Sequence, residues 1–135
     1  MISQIFINLP IKNLKKSVDF FTKLGFKFNP QFTDDTSTCM IMGENIFTML
    51  LEEEKFKEFT PKNISDAKKN TEVLIALPFE NRKGVDEIIS KAIKSGGREP
   101  RKVQDLGFMY SRAFEDLDGH IWEVFHMNME EFPKN

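Results

Sequence analysis

Hydrophobic positions along this chain follow a strand period, then a helix period, and then the same order again. Ile2–Ile11 is rich in β-branched and aromatic residues and reads as a strand. Asn13 is placed to cap a helix whose apolar face is Leu14, Val18, Phe21 and Leu24, with Gly25 as its stop. Lys27–Thr33 alternates around Phe28 and Phe32, and Pro30 marks an edge or a bend. Asp34-Asp35 reads as a turn. Thr38–Met42 and Ile46–Leu51 follow as strands joined by a tight turn at Gly43-Glu44-Asn45. Glu52–Phe59 reads as a short helix, and the polar stretch from Thr60 to Asn70, with Pro61, as a linker. The pattern then restarts. Val73–Phe79 is a strand. Val85, Ile88, Ile89, Ala92 and Ile93 make a helical face closed by Gly96-Gly97. Arg98–Val103 is a weak strand and Phe108–Glu115 a better one. Leu117-Asp118-Gly119 is a turn, and His120–His126 is the last strand.

Each half therefore reads β-α-β-β-β, and the halves align in letters as well as in pattern. INLPIKNLKKSVD (Ile7–Asp19) lies over IALPFENRKGVD (Ile75–Asp86) with one residue removed. GENIFTM (Gly43–Met49) lies over GHIWEV (Gly119–Val124) with one gap. The chain is thus a duplicated module: residues 1–59, a linker over 60–71, a second copy over 72–128 and a tail over 129–135, expected to form one compact domain. One such module has a sheet with one face under its helix and the other bare. Two copies are expected to curve their bare faces around a shared cleft, a usual place for a ligand.

Composition narrows the partners. Fourteen Phe and 40% hydrophobic residues suffice for a core. The net charge of −2, with both signs interspersed, excludes the basic stripe of a nucleic-acid binder. No apolar run approaches the ~20 residues that span a membrane, and the N-terminus lacks the basic-then-apolar order of a signal peptide. A single cysteine, Cys39, forms no internal disulfide and reads as a strand-core thiol, so the expected compartment is the cytoplasm.

Two stretches carry a resemblance. NLPIKNLKKSVDFFTKLGF (Asn8–Phe26) and FEDLDGHIWEV (Phe114–Val124), set in two βαβββ modules, resemble the vicinal oxygen chelate superfamily. This is the group of glyoxalase I, the bleomycin-resistance proteins, the fosfomycin-resistance enzymes and the extradiol dioxygenases. Asn13-Leu14 stands where that group often has Asp-Leu, and Phe20-Phe21 where it often has Phe-Tyr. Asp116, Asp118, Gly119 and Glu123 match its D-x-D-G-x-x-x-E ending. The resemblance implies an α+β fold of two tandem βαβββ modules forming a curved mixed sheet around a cleft, and a homodimer. It also implies up to four metal ligands from the first and last strands of each module, which here fall on Phe6, Thr48, Leu74 and Glu123. Only Glu123 is a strong ligand. A catalytic Zn, Fe or Ni site takes about three protein ligands, so no cofactor is expected. His120 and His126 each stand three residues from Glu123 on one strand, which puts them on its opposite face. A divalent metal stays open through one other set. If the register slips by two, Gln4, Glu72 and Glu123 could hold a hard ion such as Mg or Mn.

The expected cleft lining is Phe6, Asn8, Thr48, Leu50, Leu74, Met109, Ser111, Glu123 and Phe125, the resemblance implying that Met109 and Ser111 face inward and that Tyr110 and Phe114 turn toward the helix. So apolar a lining suits a small, partly apolar organic molecule. Glu123 is the catalytic candidate, since a carboxylate alone in an apolar cleft holds its proton more readily and can act as general base or acid. The alternative is that an Arg or a backbone donor holds Glu123 in a structural role. Arg98 and Arg101 flank a loop beside the expected cleft and could steer an anion. Three functions remain: a metal-free binder like the bleomycin-resistance branch, a lyase or dioxygenase with a remodelled metal site, or a module whose cleft serves dimerisation. The first is the expectation.

Overall fold

The computed structural model describes residues 1–133. The chain divides into two compact units between Ser65 and Asp66, inside the expected linker.

The first unit runs β1 (Ile5–Ile11), α1 (Leu14–Lys23), β2 (Lys27–Asn29), β3 (Ser37–Gly43), β4 (Ile46–Glu52) and α2 (Glu53–Phe56), with single 3-10 turns at Pro30–Phe32 and Lys57–Phe59. Its sheet has the order β1-β4-β3-β2, with β1 parallel to β4 and the other pairs antiparallel. Asn13 caps α1 as expected, accepting from the Lys16 amide at 2.9 Å. The Leu14 amide donates to Glu52 Oε2 at 2.8 Å, so a carboxylate from the end of β4 sits on the positive end of the helix. Glu52 therefore ends β4 and stands at the N-cap of α2, while its carboxylate serves α1. α1 ends where Gly25 takes φ +103°, a conformation that costs glycine little. Phe20 and Phe21, packed edge to face at 5.0 Å, form the core of this unit with Leu9, Ile11, Met40 and Leu50.

The second unit repeats the order: β5 (Leu74–Pro78), α3 (Arg82–Lys94), β6 (Gln104–Asp105), β7 (Met109–Glu115) and β8 (Ile121–Met127), then a 3-10 turn at Met129–Glu131. Its sheet is β5-β8-β7-β6, again with the first strand parallel to the last. Asn81 caps α3 by accepting from the Gly84 amide at 2.8 Å. Val85, Ile88, Ile89 and Ala92 are buried with Ile75, Phe114, Trp122 and Val124, while Ile93 is half exposed. The weak strand expected over Arg98–Val103 does not form. Arg98 makes one isolated bridge to Glu115, and the strand is the two-residue β6, inside the stretch expected as loop. Pro100 is the reason, because it has no amide to give a ladder and restricts the residue before it.

Part of the expected linker belongs to this second unit. The Asp66 carbonyl accepts from the amides of Lys69 and Asn70, and its side chain from that of Lys68. The resulting turn lies against Gly119: a Cβ there would stand 2.8 Å from Ala67 C and from Lys68 N. In the expected tail, Phe132 meets Phe108 at 4.9 Å, and residues 134–135 lie outside the described residues. Among the described residues no helix is long and apolar enough to cross a membrane.

Candidate functional site

Strand register decides which side chains share a face. In the first unit Phe6 pairs with Phe47 and Asn8 with Met49, while Ile7 pairs with Thr48 and Leu9 with Leu50. Side chains alternate along strands. Phe6 and Asn8 therefore share the bare face with Phe47 and Met49, and the Phe6 and Phe47 rings stack at 4.8 Å. Thr48 and Leu50 lie on the other face and are fully buried, with Thr48 Oγ1 donating to Met42 Sδ. Their expected place in the pocket lining is thus overturned. The gap in the repeat alignment sets β4 out by one residue, and a one-residue slip turns a side chain to the opposite face.

In the second unit Leu74 pairs with Ile121 and Ala76 with Glu123. Leu74 is the counterpart of Phe6, and Ala76 of Asn8, so Met49 and not Thr48 is the counterpart of Glu123. On β7, Ser111 pairs with Phe125, Ala113 with Glu123 and Met109 with Met127. One face thus carries Leu74, Met109, Ser111, Glu123 and Phe125, as expected, together with Met127. Tyr110 and Arg112 project from the other side of β7, where both bond to Asp86 of α3. His126 is on that side too, its Nδ1 3.0 Å from the Phe79 carbonyl. His120 serves the turn, its amide donating to Asp116 Oδ1.

Glu123 is not alone on its face. Arg101 Nη2 donates to Glu123 Oε2 at 3.3 Å and to Ser111 Oγ at 2.8 Å, while Nη1 reaches the carbonyls of Lys102 and Ser111 at 3.2 and 3.4 Å. Both charged side chains are roughly three-quarters buried, at 27% and 28% exposure. This is the second of the two roles the sequence leaves open for Glu123, a carboxylate held by an arginine. The signal for it was faint: only the failure of a strand at Pro100 frees Arg101 to lie across the sheet.

Neither a family model nor a curated protein matches the sequence. Solved structures do. The hypothetical protein SA1046 from S. aureus is 28% identical, with a TM-score of 0.79 over 93% of this chain and 95% of that one. A glyoxalase/bleomycin resistance protein/dioxygenase family enzyme from Burkholderia phytofirmans PsJN superposes with a TM-score of 0.74 at 11% identity, over 90% of this chain and 96% of that one. FosX, a genomically encoded fosfomycin resistance protein from Listeria monocytogenes, gives 0.69 at 19% identity, over 97% and 98%. The chain has the vicinal oxygen chelate fold.

The positions that the resemblance marks for metal ligands are, by register, Phe6 and Met49 in the first unit and Leu74 and Glu123 in the second. Two are hydrocarbon, one is a thioether, and the carboxylate already faces a guanidinium. Gln4 and Glu72 precede β1 and β5 and are exposed. Among the described residues no group of three His, Cys, Asp or Glu side chains is arranged to hold a metal ion. Neither pair of residues fits a divalent metal, which takes several oxygen or nitrogen ligands at once.

The Asp-x-Asp-Gly turn of the fold is built around Asp116. Its carboxylate accepts from the Asp118 and His120 amides and from Trp122 Nε1, each at 3.0 Å. Burial pushes this carboxyl up, and His120 and Trp122 oppose the shift. Cys39 is buried within its strand and burial pushes its thiol up too, so it is poorly suited to be a nucleophile.

A polar network links the sheet to α3. Arg112 holds Glu99 through two bonds of 2.8 Å and Asp86 through one more, and the Tyr110 hydroxyl donates to Asp86 at 2.6 Å. The Asp86 bond raises Tyr110 above its ordinary 10, and Tyr110 and Arg112 hold Asp86 below the usual carboxylate range. A raised phenol stabilises the fold in full up to its unfolded value near 10. That contribution is lost as pH climbs through the higher folded value. Tyr110 is the one tyrosine, so tyrosinate absorbance reads it directly. Its native titration is expected above pH 10, and Asp86→Ala is expected to bring it back toward 10. A midpoint unmoved by the substitution would contradict the network.

Proposed function

We propose that this chain binds a small, partly apolar organic molecule against the Glu123 face of its second sheet and uses no metal there. The observation that carries the reading is one buried-side ion pair, Arg101–Glu123, set among Leu74, Met109, Phe125 and Met127. An apolar surface with a few placed polar groups is what small-molecule sites offer. The fold's occurrence in a fosfomycin resistance protein supports a small organic ligand. A carboxylate held by Arg101 is poorly placed to act alone as a general base, which favours binding over catalysis. The same reading takes the working form as a cytoplasmic homodimer. The family resemblance supports this, as do the exposed Phe6 beside Phe47 and the lone buried Cys39.

Elemental mass spectrometry joined to thermal unfolding tests it. Metal is expected far below one equivalent per chain, and Mg, Mn or Zn is expected to leave Tm unchanged. An aromatic small-molecule panel is expected to contain stabilisers. A ligand at 100 times its Kd adds about 2.7 kcal/mol, worth several degrees in Tm. One equivalent of bound metal, or a panel without a stabiliser, would overturn the reading.

A further inference from the structure

Arginine–carboxylate pairs tie β7 and its neighbours in the second unit, and they are not alike. Arg112 grips Glu99 by two bonds of 2.8 Å, and Arg82 grips Asp105 by bonds of 2.7 and 2.9 Å. These are closed forks, in which both carboxylate oxygens are engaged. Arg101 touches Glu123 at one oxygen only, at 3.3 Å. Among the described residues nothing bonds to Glu123 Oε1, and nothing bonds to Arg101 Nε. The pair is half open. It offers one free acceptor on Glu123 and one free donor on Arg101, and its net charge is zero. Of the pair, Arg101 alone lines an open depression of about 530 Å³, together with Glu99, Pro100, Lys102 and Val103.

Resting on the binding reading above, we infer that the ligand's polar head is uncharged and places an N–H donor next to an oxygen acceptor, as an amide, lactam or imide does. Its N–H donates to Glu123 Oε1, and its oxygen accepts from Arg101. The charge balance decides against the alternatives. A carboxylate head must take Arg101 from Glu123, leaving two carboxylates facing each other. An ammonium head must do the reverse and leave Arg101 against a like charge. Like charges brought together in a partly desolvated site are costly. A neutral head satisfies both open atoms and breaks nothing.

Three probes with one apolar body separate these cases: naphthamide, naphthoate and naphthylmethylamine, compared by titration calorimetry. The unsubstituted protein is expected to bind the amide at least about tenfold tighter than either charged probe, the spread that about 1.4 kcal/mol of head-group discrimination produces. Arg101→Gln leaves Glu123 unbalanced and is expected to put the amine first. Glu123→Gln leaves Arg101 unbalanced and is expected to put the acid first. The double variant restores neutrality and the amide's lead, so the outcome survives if one single variant fails to fold. Trp122, the one tryptophan and fully buried, reports folding of each. A charged probe that binds best to the unsubstituted protein, or a ranking that ignores both substitutions, overturns the head-group inference and leaves the binding reading standing. No heat from any probe overturns both.

Discussion

Asp116→Ala is expected to lower stability by about 3–5 kcal/mol, the largest single effect predicted here. Each buried donor left without an acceptor costs roughly 1–3 kcal/mol. Asp116 serves three at once: two backbone amides through Oδ1 and the Trp122 indole through Oδ2. Trp122 is fully buried, so water cannot simply replace the lost carboxylate. Asp116→Asn keeps the oxygen that faces the amides of Asp118 and His120. It turns an NH₂ toward Trp122 Nε1, so it is expected to cost less than Ala while still costing more than a surface change. Urea unfolding followed by Trp122 fluorescence should show a fall in midpoint at constant slope. A loss below about 1 kcal/mol for Ala would mean that the turn is held by something other than this carboxylate.

Gly119→Ala should be nearly as damaging, by a different route. The residue sits at φ +95°, where a side chain costs roughly 1–3 kcal/mol. Its Cβ would also meet backbone, 2.8 Å from Ala67 C and Lys68 N and 2.9 Å from Ala67 O. Backbone cannot rotate aside as a side-chain tip can, so the turn at Asp66 must shift, adding about 1–2 kcal/mol. The expected total is about 2–5 kcal/mol, with faster hydrogen exchange at the Lys69 and Asn70 amides. Gly107→Ala is the control. Gly107 has φ +82° and nothing within 4 Å of its Cβ, so it isolates the conformational part. Equal losses for the two substitutions would show that the close approach carries no energy.

Local chemistry was legible in the sequence, and pairing was not. The first helix starts at the asparagine that its spacing marks, because an N-cap is a contact between near neighbours. The face shared by Met109, Ser111 and Glu123 followed from the family resemblance joined to strand alternation. Thr48 failed because its face depends on which residue of β4 meets Ile7, and the turn before β4 does not announce that. Arg101 could be named as a possible anion-steering residue, but not as the partner of Glu123, 22 positions away. The turn at Asp66 looked like a linker because its packing partner, Gly119, lies half a chain downstream.

Within each sheet the first strand of the module has a single neighbour, and it is the last: β1 beside β4, β5 beside β8. During synthesis β1 must therefore wait, without a ladder, until the ribosome has delivered everything through Glu52, whose carboxylate also completes the cap of α1. No shorter nascent fragment contains a finished sheet, so each module emerges as an indivisible folding quantum. Pairings so distant along the chain fold slowly. A duplicated arrangement meets this delay twice, in sequence, and lets the first copy finish before the second begins.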